Sequence, residues 1–131
     1  MKVFLDTSLL SDAGLAGFAK EIAEGVETGS TFYLSAITHF QLQWGYSMAG
    51  MSKAKYETFL SATKVEVAPL TKTDSEQAAS MKPVEADIPD ALIAATAKRY
   101  DATIWTYDKD FLKFLPKARV RLLRRSPEGE R

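Results

Sequence analysis

The sequence predicts an α/β protein: a single-domain α/β/α sandwich over residues 1–131, built on a mostly parallel central sheet. Three observations lead there. Short apolar runs alternate with stretches of helical periodicity along the chain. The first apolar run, Met1-Lys2-Val3-Phe4-Leu5, stops on an acid, Asp6, as strands of open α/β sheets do where they deliver a side chain to the crevice outside the sheet. No repeat, low-complexity segment or long linker divides the chain, and 131 residues suit one domain that buries roughly two-thirds of its unfolded surface.

Taken in order, the first strand leads into Asp6-Thr7-Ser8, where Asp6 is equally suited to cap a helix begun by Leu9 and Leu10. Leu15, Phe18, Ala19, Ile22, Ala23 and Val26 keep helical spacing, and Gly29-Ser30 ends that helix before a strand, Thr31-Phe32-Tyr33-Leu34. Thr38-x-x-Gln41 fits a capping box for the next helix. Its apolar set, Phe40, Leu42, Trp44, Tyr46 and Met48 leading to Met51, wraps too far round for one core-facing stripe. Such a set is either a surface for a second copy or a partner protein, or a face buried under the following helix.

That following helix runs from Lys53 to Ala62, with Tyr56, Phe59 and Leu60 at helical spacing. A strand, Val65-Glu66-Val67, and a helix from Thr71 to Met81, with Thr73 or Asp74 near its start, come next. After Pro83, the run Asp87-Ile88-Pro89-Asp90 opens a helix through Ala91-Leu92-Ile93-Ala94-Ala95, with Pro in its first turn. Here Asp87 is a capping candidate, and Asp90 sits where the helix dipole favours an anion. Ala102-Thr103-Ile104-Trp105 is a strand, and Thr106-Tyr107-Asp108-Lys109-Asp110-Phe111 turns directly after it. A basic strand and tail begin at about residue 117 and carry Arg119, Arg121, Arg124 and Arg125.

Asp6, Asp90 and Asp108 thus stand at strand or helix ends that an α/β sandwich gathers at one edge. Two carboxylates about 4 Å apart repel by roughly 4 kcal/mol at an effective dielectric of 20, so a cluster of them calls for a cation. The chain has no cysteine and a single histidine, His39, which reads as a packing residue, so zinc-like coordination has no ligands. All-oxygen donors suit Mg²⁺ or Mn²⁺.

Zero formal net charge hides an asymmetry. From Lys113 onward seven Lys or Arg face only Glu128 and Glu130, so the tail is +5 and the remainder −5. Arg119, Arg121, Arg124 and Arg125 are therefore candidates for phosphate contacts, against the plainer role of charges on a solvated edge strand. No apolar run approaches membrane-spanning length, and Asp6 interrupts the start too early for a signal peptide, so a cytoplasmic location is expected. An aspartyl phosphatase wants a second acid where Ser8 stands; a receiver domain wants an adjacent acidic pair; neither pattern is present, nor is a Gly-rich nucleotide loop.

Four stretches, Val3-Phe4-Leu5-Asp6-Thr7-Ser8, Leu34 to Gly45, Asp90 to Ala95 and Thr106 to Phe111, together resemble the PIN domain family, in particular small single-domain toxins of the VapC type. That resemblance implies a metal-dependent endoribonuclease that holds Mg²⁺ or Mn²⁺ on Asp6, Asp90 and Asp108, acts on RNA, pairs with a cognate antitoxin and forms a homodimer. By the same resemblance Asp110 matches a less regular fourth acid, and Ser8 and Thr106 match polar residues that line such sites. Gln41 stands where the family usually has Glu. It keeps the shape and the carbonyl acceptor but loses the charge, which makes it a poorer ligand for a hard dication. A PIN-like domain that binds RNA or protein without cutting is the alternative.

Overall fold

The computed structural model describes residues 1–10 and 12–124, the side chains of 12–16 excepted. Five strands, β1 (Lys2–Leu5), β2 (Thr31–Ser35), β3 (Glu66–Ala68), β4 (Thr103–Thr106) and β5 (Val120–Leu122), pair in the order β3-β2-β1-β4-β5, parallel at every junction. The chain winds outward from β1 through β2 to β3, then returns to lay β4 on the other side of β1. That reversal opens a crevice at the carboxyl ends of β1 and β4.

Alternation along β1 assigns the two layers. Val3 and Leu5 pack with Leu9, Leu10, Ile22, Phe32, Leu34, Tyr56 and Phe59 under α1 (Asp12–Glu27) and α3 (Ala54–Thr63). Phe4 points the other way, to Tyr33, Ile93, Ala94, Ala97 and Ile104 under α5 (Ile88–Arg99). α4 (Lys72–Ser80) lies on α5 through Ala78, Ala91 and Ala95. Of the predicted helix stripe, Phe18, Ile22 and Val26 join the core and Ala23 is exposed, while Leu15 lies outside the described side chains. Gly25 sits so close to β2 that an added Cβ would come 2.7 Å from the Phe32 ring, which explains a glycine in mid-helix.

Several local expectations are corrected. Leu9 and Leu10 begin no α-helix: Thr7–Leu9 is a single 3-10 turn, and α1 starts at Asp12. Nor does Thr38-x-x-Gln41 form a capping box. α2 (Ala36–Ala49) starts three residues earlier, because Ser35, the last residue of β2, accepts the Thr38 amide at 3.0 Å, which leaves Gln41 too far along to reach the cap. The true capping box lies at Thr71 and Asp74, each side chain accepting the other's amide at 3.1 Å. β3 and β4 each begin one residue later than predicted, and β5 is only three residues long, so Arg119 precedes it in a 3-10 turn and Arg124 follows it.

Asp74 does more than cap. It is 1 % exposed, and it also accepts from Thr96 at 3.0 Å and from Arg99 at 2.8 and 3.1 Å, tying α4 to α5. Burial alone would raise its pKa, but hydrogen bonds from Arg99, the Thr71 amide and Thr96, with the Arg99 charge, hold it below the usual carboxylate value. A lowered folded pKa contributes stability above the unfolded value and loses it as pH falls through the folded one. Asp74→Ala is expected to destabilise the fold by about 2–4 kcal/mol in urea unfolding at neutral pH, with the difference shrinking in acid.

Candidate metal centre

β1 and β4 carry their terminal residues to the crevice, where the Asp6 amide still bonds the Trp105 carbonyl at 3.0 Å. Asp6 makes no side-chain cap to the turn that follows it. Its Oδ2 instead accepts from Ser8 Oγ and Thr106 Oγ1, both at 2.7 Å. Thr106 Oγ1 in turn accepts the Asp108 amide at 2.9 Å, and Asp108 Oδ1 accepts the Asp110 amide at 2.8 Å. These hydroxyls fix the carboxylates without supplying positive charge, so each acid is positioned while its repulsion is left in place.

Asp90 arrives from the first turn of α5, directly after Pro89. Its pKa is pushed up to about 7, first by burial and then by the negative charges of Asp6, Asp108, Asp87 and Asp110. Two of the three expected acids, Asp6 and Asp108, and the expected fourth, Asp110, therefore bear on the third, Asp90. Asp87 was missed as a site residue because it read as a cap. It makes no cap bond here, and its carboxylate takes Lys113 Nζ at 2.9 Å. The signal was the Asp87-x-x-Asp90 spacing, which puts both acids at one helix start.

Ligand oxygens of Asp87, Asp90 and Asp110 lie within 4.8 Å of one another. The donors are all carboxylate oxygens, a set that fits a hard divalent cation such as Mg²⁺ or Mn²⁺. Gln41 is at the margin: its Oε1 accepts from Thr7 Oγ1 at 2.6 Å, one residue from Asp6. His39 packs on Tyr56, with Nδ1 2.7 Å from the phenol oxygen, as a structural residue would.

Of the four arginines, Arg119 is tied to the Asp101 carbonyl at 3.0 Å and to its carboxylate, at the edge of the sheet where β4 begins and opposite the crevice. Arg121 pairs with Glu21 of α1 at 3.2 Å and stacks 4.3 Å from the Trp105 ring centre. Arg124, by contrast, lines a groove of about 860 Å³ with Ser8, Tyr107, Asp108 and Lys109. Arg125 lies outside the described residues.

The sequence that builds this crevice at the reversal point of a parallel sheet matches the family model of the PIN domain over residues 3–114. The chain belongs to the PIN domain family. Solved structures of similar fold include VapBC2 from Rickettsia felis bound to a DNA fragment from its promoter, at a TM-score of 0.70 and 20% identity, covering 95% of this chain and 100% of that one. A toxin–antitoxin complex from Klebsiella pneumoniae follows at 0.61 and 18%, covering 91% and 95%. A domain of a functionally unknown protein from Methanocaldococcus jannaschii gives 0.63 and 16%, covering 95% and 92%. At these identities the likeness is one of fold, the PIN α/β/α sandwich. No curated relative matches the chain by sequence.

The PIN helix α2 divides its apolar residues between two faces. Leu42 and Tyr46 pack on the core, whereas Phe40, Trp44 and Met48, one turn apart, are 63, 57 and 70 % exposed, so the expectation of burial under the next helix fails for them. Among the described residues no helix is long and apolar enough to cross a membrane.

Proposed function

We propose that this PIN domain is a metal-dependent endoribonuclease, the toxin of a VapBC-type toxin–antitoxin pair, working in the cytoplasm on RNA. One observation carries the reading: Asp87, Asp90 and Asp110 bring ligand oxygens within 4.8 Å of one another, and burial together with the charges of Asp6, Asp108, Asp87 and Asp110 raises the Asp90 pKa to about 7, an arrangement that costs stability unless a cation offsets it. Two of the similar folds belong to toxin–antitoxin complexes, which supports an antitoxin partner. The exposed Phe40, Trp44 and Met48 supply an apolar surface for a partner chain, be it antitoxin or a second copy in a homodimer.

In this reading Asp6, Asp90 and Asp108 hold Mg²⁺ or Mn²⁺. Bound there, the ion supplies acidification of a water and charge neutralisation at the attacked phosphate. Ser8 and Thr106 hold Asp6 in place through their hydroxyls, and Asp110 steadies Asp108 through its amide. Lys109 and Arg124 bind the phosphates on either side along the groove, and Tyr107 offers a ring to an unstacked base. Arg119 and Arg121, already paired with Asp101 and Glu21, serve the sheet edge.

Gln41 favours a second reading, an RNA- or protein-binding PIN domain that does not cut, since a neutral amide tied to Thr7 adds no charge to the cluster. Incubation of a structured RNA with Mn²⁺ decides between them. The chain is expected to cleave, chelation to stop it, and Asp6→Asn to slow it by about 100-fold or more. Equal rates for the chain and Asp6→Asn would transfer the crevice to the binding reading.

A further inference from the structure

The acid cluster already contains one cation. Lys113, the last residue of the 3-10 turn Lys109–Lys113, places Nζ 2.9 Å from Asp87 Oδ2 and 3.3 Å from Asp110 Oδ1. The contact with Asp110 is a neighbour at short helical spacing, but the contact with Asp87 spans 26 residues and joins the turn before α5 to the turn after β4.

Asp87 and Asp110 are two of the three residues whose oxygens lie within 4.8 Å of one another, and the third is Asp90. Asp90 is shared between two groups: Asp6 and Asp108, whose charges bear on it and whose carboxylates, among the described residues, meet hydroxyl and amide donors, and Asp87 and Asp110, which meet an ammonium. A divalent ion entering the second group would have to displace Lys113 and shed several of its own waters. One entering the first displaces no charge at all.

We propose that Lys113 is the resident cation of the outer half of this site, standing in place of a second metal ion, so that the chain takes up a single divalent ion on the Asp6, Asp90 and Asp108 side. The inference rests on the nuclease reading above and refines it. Lys113 acts through Asp87 and Asp110 and is a positioning residue: it keeps their charge from adding to the repulsion on Asp90.

The test is a count of bound Mn²⁺, followed by electron paramagnetic resonance of the free ion and by calorimetry, on the chain, Lys113→Met, Lys113→Gln and Lys113→Arg. One ion per chain is expected for the unaltered protein and for Lys113→Arg, and two for Lys113→Met and Lys113→Gln. Without metal the Met and Gln variants should melt lower than the unaltered chain, and Mn²⁺ should restore them. Equal ion counts in the unaltered chain and in the Met and Gln variants overturn the role given to Lys113; if the unaltered chain still cleaves RNA with Mn²⁺, the nuclease reading stands alone. No bound Mn²⁺ in any of the four proteins overturns both.

Discussion

Asp90→Asn is expected to lose Mn²⁺-dependent RNA cleavage by about 1000-fold or more and, in the same tube without metal, to melt higher than the unaltered protein. The two effects share a cause. Burial, Asp6, Asp108, Asp87 and Asp110 move the Asp90 pKa from 3.8 to about 7. A raised folded pKa contributes stability that is full below the unfolded value, near pH 4, and is lost as pH rises through about 7. Asn carries no charge at any pH, so its advantage should be absent at pH 4, grow through pH 7 and level off above it. Discounted for the partial solvent exposure of the group, the gain is about 1–2 kcal/mol, or roughly 3–8 °C in melting temperature. Scanning calorimetry in chelator at pH 4 and pH 8 measures it. A variant that melts lower than the parent at pH 8 would show that Asp90 is held by unseen partners and that the cluster is not under strain.

The second large effect is expected from Gln41→Glu. Gln41 Oε1 accepts from Thr7 Oγ1, a bond a carboxylate oxygen accepts as well, so the exchange keeps the local geometry and adds one negative charge beside Asp6. That charge should lower the metal-free melting temperature, tighten Mn²⁺ by about tenfold and raise the cleavage rate by at least as much, because only the metal-bound form profits from it. Mn²⁺ titration and a timed cleavage assay read both. If affinity and rate stay unchanged while the fold is intact, Gln41 stands outside the reach of the ion, and its role is confined to its bond with Thr7.

Asp6 and Asp108 could be read from the sequence because a buried strand ending on an acid is a one-dimensional pattern, visible without knowing what lies opposite. The α/β/α layering was legible for the same reason, through the alternation of Val3 and Leu5 against Phe4. What escaped depended on partners far along the chain. Asp87 passed for a cap because its lysine, Lys113, is 26 residues away. Arg119 stayed open between a phosphate contact and an edge-strand charge because its bond to Asp101 forms only when the 3-10 turn docks beside β4. The capping box at Thr38 was a false match because Ser35, one residue past the predicted strand and the last of β2, outcompetes it by starting the helix sooner.

Thr106 Oγ1 and Asp6 Oδ2 are 100 residues apart in sequence and hydrogen-bonded in space. A chain leaving the ribosome therefore carries Asp6 for 100 residues before Thr106 appears, and possesses no site until Thr106 and Asp108 have followed it out. At about 5–20 residues per second that interval is on the order of 5–20 seconds. Throughout it the crevice is incomplete, and every translation product that stops short of β4 stays without the carboxylates that follow that strand.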